Sequence, residues 1–247
     1  MEKVYERAKS LMNIPMHYCP GCTHGIAHKL IAEVIDEMGL REKTIGISGI
    51  GCSFLSYFDI DVVGGAHGRA PATATGVKAA NPDKFVFTYQ GDGDCSAIGA
   101  AEIIHAAGRA EKFTTFMVAN GVFAMTGGQK SPTTMIGQRT TTTQDGRDAV
   151  RDGLPIREAE LIAQIPGAYY VARGALTSPA NIAKSKNYIK KAIKYQMEGK
   201  GFTFVELLST CPTNWGLSPV ESLKRVEEEI VAYYPLGEIL TPEGVAK

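Results

Sequence analysis

Residues 84–90 (Lys-Phe-Val-Phe-Thr-Tyr-Gln) form a short apolar run that passes at once into Gly91-Asp92-Gly93-Asp94 and then into a small-residue stretch, 96–109. An apolar run of that length, bounded by turn residues, reads as a buried strand, and the segment after it as a helix. A second apolar run, 113–119, reads as another strand and ends at Asn120-Gly121. Strand, turn, helix, strand is the repeat of a parallel sheet.

The same alternation holds on both sides of this unit. Leu30, Ile31, Val34, Ile35 and Met38 stand at helical spacing in 24–38, and Gly39 is placed to end that helix. Residues 44–50 read as a strand closing on Gly-Ile-Gly-Cys, and 70–80 as a helix beginning near Pro71. Later come a helix at 157–165, a strand at 168–172, a helix at 179–198, a strand at 202–208 and a helix at 219–233. The expected fold is α/β: a doubly wound, mostly parallel sheet with helices on both faces. Residues 120–157 are irregular, polar and Thr/Gly-rich, and so long a stretch inside a compact domain is usually functional. The tail, 235–247, lacks periodicity and is expected to be disordered or to lie on a partner.

The chain has 247 residues, a formal net charge of zero and 44% hydrophobic residues, enough for a substantial core. No linker composition marks a boundary, so one domain is expected over 1–247, with 1–23 as an N-terminal segment. Zero net charge argues against nucleic acid as a main partner. No run approaches the ~18 apolar residues of a membrane span. The start, Met1-Glu-Lys-Val-Tyr-Glu-Arg, has neither an apolar core nor a small-residue cleavage site, so no signal peptide is read and a cytoplasmic location is expected.

In such a sheet, ligands bind in loops at the carboxyl ends of strands. The backbone N–H groups of Gly91 to Asp94, at a helix N-terminus, can face a phosphate. Asp92 offers a hard carboxylate oxygen for Mg²⁺, and Asn120, at the end of the next strand, a second oxygen. Gly-Asp-Gly alone also makes ordinary turns.

There are five cysteines. Cys19-Pro20-Gly21-Cys22 stands just before a helix, where C-x-x-C serves as a redox dithiol, half a zinc site or two cluster ligands. The redox fold wants a strand before the pair, and Pro15 breaks the segment there; a zinc ribbon wants a second C-x-x-C, which is absent. What remains is the pair plus Cys52 and Cys211, each following a predicted strand and so emerging at the same sheet edge as the metal loop. Cys95 reads as a buried structural thiol. His24 suits either a cluster sulfur or a helix cap, while His17, His28 and His105 lack supporting context. Lys184, Lys186, Lys190, Lys191 and Lys194 share one helix and read as a solvated face, with docking of an acidic protein the lesser reading.

Gly-Asp-Gly, a helix, a strand and then Asn-Gly-Val-Phe-Ala-Met-Thr-Gly-Gly-Gln resembles the thiamine-diphosphate signature, with Ala119 replacing the first Asn of the usual pair. Thr126-Gly127-Gly128-Gln129, His67-Gly68-Arg69 and Cys211-Pro212-Thr213 resemble the corresponding segments of the β subunits of 2-oxoacid:ferredoxin oxidoreductases. The resemblance runs over about residues 16–215. Pro15-Met-His-Tyr-Cys-Pro-Gly-Cys is most similar to the 2-oxoisovalerate and 2-oxoglutarate types.

The resemblance implies Mg²⁺ held by Asp92, Asn120 and the Val122 carbonyl; Gly91, Asp92, Gly93, Asp94, Thr126, Gly127, Gln129 and His67 near thiamine diphosphate; and His67 and Arg69 as candidate catalytic groups. It implies a [4Fe–4S] cluster on Cys19, Cys22, Cys52 and Cys211. The reaction implied is oxidative decarboxylation of a 2-oxoacid with coenzyme A, giving acyl-CoA and CO₂, with electrons passed singly through the cluster to ferredoxin. A domain of this size supplies only the diphosphate half of a thiamine site. An α subunit carrying the pyrimidine domain and its Glu is therefore expected, and a ferredoxin-like subunit with it. The alternatives are a non-oxidative thiamine-diphosphate decarboxylase or synthase subunit with structural zinc, and a non-catalytic metal module whose Gly-Asp-Gly is a turn.

Overall fold

Among the described residues ten strands follow one another: β1 (Thr44–Ser48), β2 (Asp61–Gly64), β3 (Phe85–Gly91), β4 (Thr114–Ala119), β5 (Val122–Phe123), β6 (Gln129–Lys130), β7 (Ala168–Ala175), β8 (Phe202–Leu208), β9 (Gly237–Thr241) and β10 (Gly244–Val245). The helices between them are α1 (His24–Glu37), α2 (Ala70–Ala80), α3 (Ala100–Gly108), α4 (Glu158–Ala163), α5 (Pro179–Met197), α6 (Pro212–Trp215), α7 (Pro219–Arg225) and α8 (Val231–Tyr233). These come from a computed structural model that describes residues 6–246; Met1 to Tyr5, most of the start read above, and Lys247 lie outside the described residues.

Eight strands form one sheet in the order β10-β9-β7-β8-β4-β3-β1-β2. The six from β7 to β2 run parallel to one another. Phe85, Phe87 and Tyr89 of β3 pack on one face of the sheet with α1 and α5; Val86 packs on the other with α2, α3 and α4. Burial on both faces is why this strand reads as an unbroken apolar run rather than an alternating one. The expected doubly wound, mostly parallel fold with helices on both faces is what the chain adopts.

The sheet also sets where a ligand can enter. From β1 the chain goes outward to β2, then returns to β3 on the other side of β1. The loops after β1 and β3 therefore leave in opposite directions and open a crevice at their carboxyl ends, the switch point of a doubly wound sheet.

Three details depart from expectation. The tail from Pro235 to Ala246 lies on the chain's own sheet: β9 pairs antiparallel with β7, and β10 with β9. Glu238 holds it down, accepting from Tyr170 Oη and Lys191 Nζ, each at 2.8 Å. The helix expected at 96–109 opens with a π-helical turn, Asp94–Ile98, and the one at 219–233 is interrupted by another, Val226–Ile230. The α5 lysines largely meet the protein's own acids. Lys186 pairs with Glu33 and Glu37, Lys190 with Glu37 and Lys191 with Glu238. Exposed pairs of this kind add ~0–1 kcal/mol each and leave little unmatched positive charge for a partner. Among the described residues, no helix is long and apolar enough to cross a membrane.

Candidate active site

The switch-point crevice is a cleft whose wall includes Ile50 to Ser53 after β1, His67 after β2, Gly91 to Asp94 after β3, and Asn120 and Val122 to Thr126 after β4. His24 closes it from α1. Sheet topology thus brings together residues up to a hundred positions apart.

Asp92 is almost fully buried. Its Oδ1 accepts the Gly93 N–H at 2.8 Å, and its Oδ2 accepts the Gly121 N–H at 2.7 Å, the Ser131 hydroxyl at 3.1 Å and the Thr133 hydroxyl. Burial raises its carboxyl above the ordinary range, while these hydrogen bonds oppose the shift. Gly93 is required by packing: a Cβ there would stand 2.4 Å from the Phe123 ring. Asn120 is buried and accepts the Val122 N–H on Oδ1 at 3.1 Å; its carbonyl accepts Trp215 Nε1–H at 3.1 Å. A carboxylate, an amide and a nearby carbonyl suit Mg²⁺, which takes few protein oxygens and shares the rest with phosphate. Among the described residues lining the cleft there is no Lys or Arg. An anion here would be met by a cation, by N–H groups and by His67.

Asp94 is committed to positioning. Its Oδ1 accepts from His67 Nδ1 and from the Gly68 N–H at 2.8 Å, and its Oδ2 from Gln90 Nε2 at 2.6 Å. The carboxylate fixes the His67 proton on Nδ1 and leaves Nε2 for the cleft. Arg69 is not drawn in: its guanidinium pairs with Glu102 and reaches the Ile98 carbonyl at 3.3 Å. Thr126 and Gln129 bond each other, Thr126 Oγ1 to Gln129 Oε1 at 2.7 Å and Gln129 Nε2 back to the Thr126 carbonyl at 2.8 Å. Thr126 lines the cleft; Gly127 and Gln129 form the hairpin behind it.

The four singled-out cysteines converge beside this cleft. Cys52 is in its wall. The Cys19–Cys22 loop is strapped to the end of β8, where Thr210 Oγ1 donates to the Gly21 carbonyl at 2.6 Å and Thr23 meets Ser209 at 2.7 Å. Burial pushes the Cys22 thiol up to about 12, the His24 N–H opposing and Cys211, Cys52 and Cys19 adding to it. Burial pushes Cys52 up to about 11, with Cys211 and Cys19 adding. Thiols that perturb one another lie in one neighbourhood. Yet among the described residues no three His, Cys, Asp or Glu side chains converge on a point fit for one metal ion. A cubane meets each thiolate at a different iron and so asks for a wider spread than a tetrahedral zinc does. Four cysteines in one neighbourhood are a donor set that can serve a metal ion or a cluster. Cys95 is fully buried, as expected of a structural thiol.

The members not singled out from the sequence are His24's partners and, within the long irregular stretch, Ser131, Thr133 and Arg147. His24 Nδ1 lies 2.7 Å from Tyr89 Oη, its ring stacked on Tyr18. Burial lowers the imidazole to about 4, keeping it neutral. Arg147, nearly buried, donates to the carbonyls of Ser131, Pro132, Thr134, Gly153 and Leu154 at 2.6–3.4 Å, and thereby carries Ser131 and Thr133 to Asp92.

Residues 49–207 match the family model described as the C-terminal TPP-binding domain of thiamine pyrophosphate enzymes. The chain is 43% identical over 238 residues to the ketoisovalerate oxidoreductase subunit VorA of Methanothermobacter marburgensis, covering 96% of this chain and 50% of that protein. It is 36% identical over 226 residues to the 2-oxoglutarate synthase subunit KorB of Methanocaldococcus jannaschii, covering 88% and 79%. A solved 2-oxoglutarate:ferredoxin oxidoreductase from Magnetococcus marinus, with 2-oxoglutarate, coenzyme A and succinyl-CoA bound, superposes with a TM-score of 0.75 at 31% identity, covering 85% of this chain and 69% of that one. The chain belongs to the 2-oxoacid:ferredoxin oxidoreductase family, as its thiamine-diphosphate-binding subunit. It spans about half the length of the ketoisovalerate oxidoreductase subunits it matches.

Proposed function

We propose that this subunit binds thiamine diphosphate and Mg²⁺, carries a [4Fe–4S] cluster, and acts in the oxidative decarboxylation of a 2-oxoacid to acyl-CoA and CO₂, with ferredoxin as electron acceptor. The observation that carries the reading is a single cleft whose wall holds both Cys52 and the Asp92–Asn120 pair. A cluster on the cysteines would stand beside the cofactor, as single-electron transfer requires.

In this reading Asp92, Asn120 and the Val122 carbonyl hold Mg²⁺, and the N–H groups of Gly91 to Asp94 meet the diphosphate. Bound thiamine diphosphate supplies the carbon nucleophile and the electron sink for loss of CO₂. His67, oriented by Asp94, presents Nε2 to accept or pass a proton. Tyr89, whose hydroxyl burial keeps protonated, shares a hydrogen bond with His24 Nδ1 and fixes the orientation of that ring. Cys19, Cys22, Cys52 and Cys211 hold the cluster.

The side chain of the 2-oxoacid is proposed to be aliphatic. Ile50, Phe123 and Met125 line the cleft, with Ile50 and Met125 exposed at its rim, and no cation stands among the described lining residues to meet a second carboxylate. The matched relatives are divided, VorA being named for ketoisovalerate and KorB for 2-oxoglutarate. A partner α subunit completes the aminopyrimidine side with its Glu, and a ferredoxin-like subunit carries electrons onward, in the cytoplasm.

The test is anaerobic purification with the neighbouring subunits, then iron, sulfide and thiamine-diphosphate analysis. About four irons and four sulfides per copy of this chain, after subtracting any other cluster subunit, with bound cofactor, are expected. Zinc at the cysteines would instead favour a non-oxidative thiamine enzyme. Faster reduction of ferredoxin with 3-methyl-2-oxobutanoate than with 2-oxoglutarate is expected; the reverse order would overturn the aliphatic assignment.

A further inference from the structure

Directly after Cys211, the four-residue helix α6 reaches three parts of the site. Asn214 Nδ2 lies 3.2 Å from Cys211 Sγ and 3.3 Å from the carbonyl oxygen of Ala124 in the cleft wall. Trp215 Nε1–H donates to the Asn120 carbonyl at 3.1 Å. A thiolate and a carbonyl can only accept, so the NH₂ end of the Asn214 amide must face them, one hydrogen for each. The other end packs closely: a Cβ at Gly128 would stand 2.6 Å from Asn214 Oδ1, so the loop after β5 keeps glycine at φ +80° and lets the amide in.

We infer that Asn214 is a positioning residue that couples the iron–sulfur cluster to the cofactor loop, one amide holding the Cys211 thiolate and the Ala124 carbonyl together. This rests on the cluster assignment proposed above. Reduction of the cluster by one electron adds negative charge that its sulfurs share. An N–H donated to a ligand sulfur stabilises the reduced form more than the oxidised form and so raises the potential. The second hydrogen ties the same amide to the wall that the cofactor meets. Occupancy of one site is thereby felt at the other. Trp215 holds Asn120 without touching sulfur, so its effect is confined to the cofactor side.

The experiment compares the anaerobically purified complex with Asn214→Ala, Asn214→Ser and Trp215→Phe. Two quantities are read: the midpoint potential of this cluster, by a redox titration followed by electron paramagnetic resonance, and the affinity of the cofactor-stripped complex for thiamine diphosphate with Mg²⁺, by calorimetry. Asn214→Ala is expected to shift the potential to more negative values and weaken cofactor binding about tenfold. Asn214→Ser, whose hydroxyl can serve one acceptor but not both, is expected to lose one effect and keep the other, and it decides the matter if the alanine variant fails to retain cluster. Trp215→Phe is expected to weaken cofactor binding several-fold at an unchanged potential. An unmoved potential in Asn214→Ala, or a shift of equal size in Trp215→Phe, would overturn the coupling while leaving the functional reading intact. A wild-type complex without a four-iron cluster would overturn both.

Discussion

Asp92 and Cys52 open into the same cleft, yet their surroundings are built in different ways. Asp92 already has four donors from the protein, two backbone N–H groups and two hydroxyls, with Arg147 bracing the segment that brings the hydroxyls. At the cysteines there is little such support. Burial and mutual repulsion push the Cys22 and Cys52 thiols up, and among the described contacts it is Asn214 and the His24 N–H that oppose this at Cys211 and Cys22. Burial raises both groups that must be ionised when the ligand arrives, but four donors oppose the shift at Asp92 and far fewer do so at the cysteines. The diphosphate side is preorganised, whereas the cysteine side is completed by what it binds, with release of protons. Hydrogen bonds to a charged group are worth ~1.5–3 kcal/mol each, so the difference is large on the scale of binding.

If the two sides are separately built, breaking one should spare the other. Asp92→Asn turns an acceptor with four donors into an amide that faces some of them with hydrogens. It is expected to weaken thiamine diphosphate and Mg²⁺ binding more than the ~10–100-fold typical of losing a supporting partner, with iron per chain unchanged. A parallel fall in iron would refute separate construction. Arg147→Ala leaves the Asp92 ligand in place and removes its brace. Its expected cost is about tenfold in cofactor affinity, again at constant iron content.

A third variant should leave cofactor affinity alone. The Glu158 carboxyl is raised from the ordinary 4.5 to about 7 by burial, with Ser96 opposing and Glu206 adding. The folded protein keeps this proton longer than the unfolded chain, so stability falls as pH rises between about 4.5 and 7 and stays lower above. Glu158→Gln cannot ionise. It is expected to gain about 1–3 kcal/mol over wild type above pH 7 and little below pH 4.5, read from thermal unfolding of the complex at both pH values. A gain at low pH instead would refute the assignment.

The parallel strands were legible because burial on both faces writes them as uninterrupted apolar runs, and the cleft because topology places the loops after β1, β3 and β4 at one end of the sheet. What escaped was set by distant partners. β9 has Gly237 at one end and Glu238 inside it, and makes a strand because Tyr170 and Lys191 meet that glutamate. The four residues of β2 are exposed at the sheet edge and carry no alternation to read. Arg69 looked available to the cofactor until α3 brought Glu102 against it. Arg147 could not be singled out at all, since its five acceptors are backbone carbonyls that any sequence would supply.

The π-helical turn at Asp94–Ile98 has a consequence for chain length. Gly99 N–H reaches back to the Asp94 carbonyl at 2.9 Å, so this turn holds one residue more than an α-helix would place there. Removing a residue between 95 and 98 would give a smoother helix, and local helix-forming tendency would improve. It would also swing Asp94 by about 100° about the axis relative to α3, away from His67, Gly68 and Gln90. At this point a one-codon deletion would be more damaging than most substitutions, because the site depends on how many residues stand there as well as on which ones.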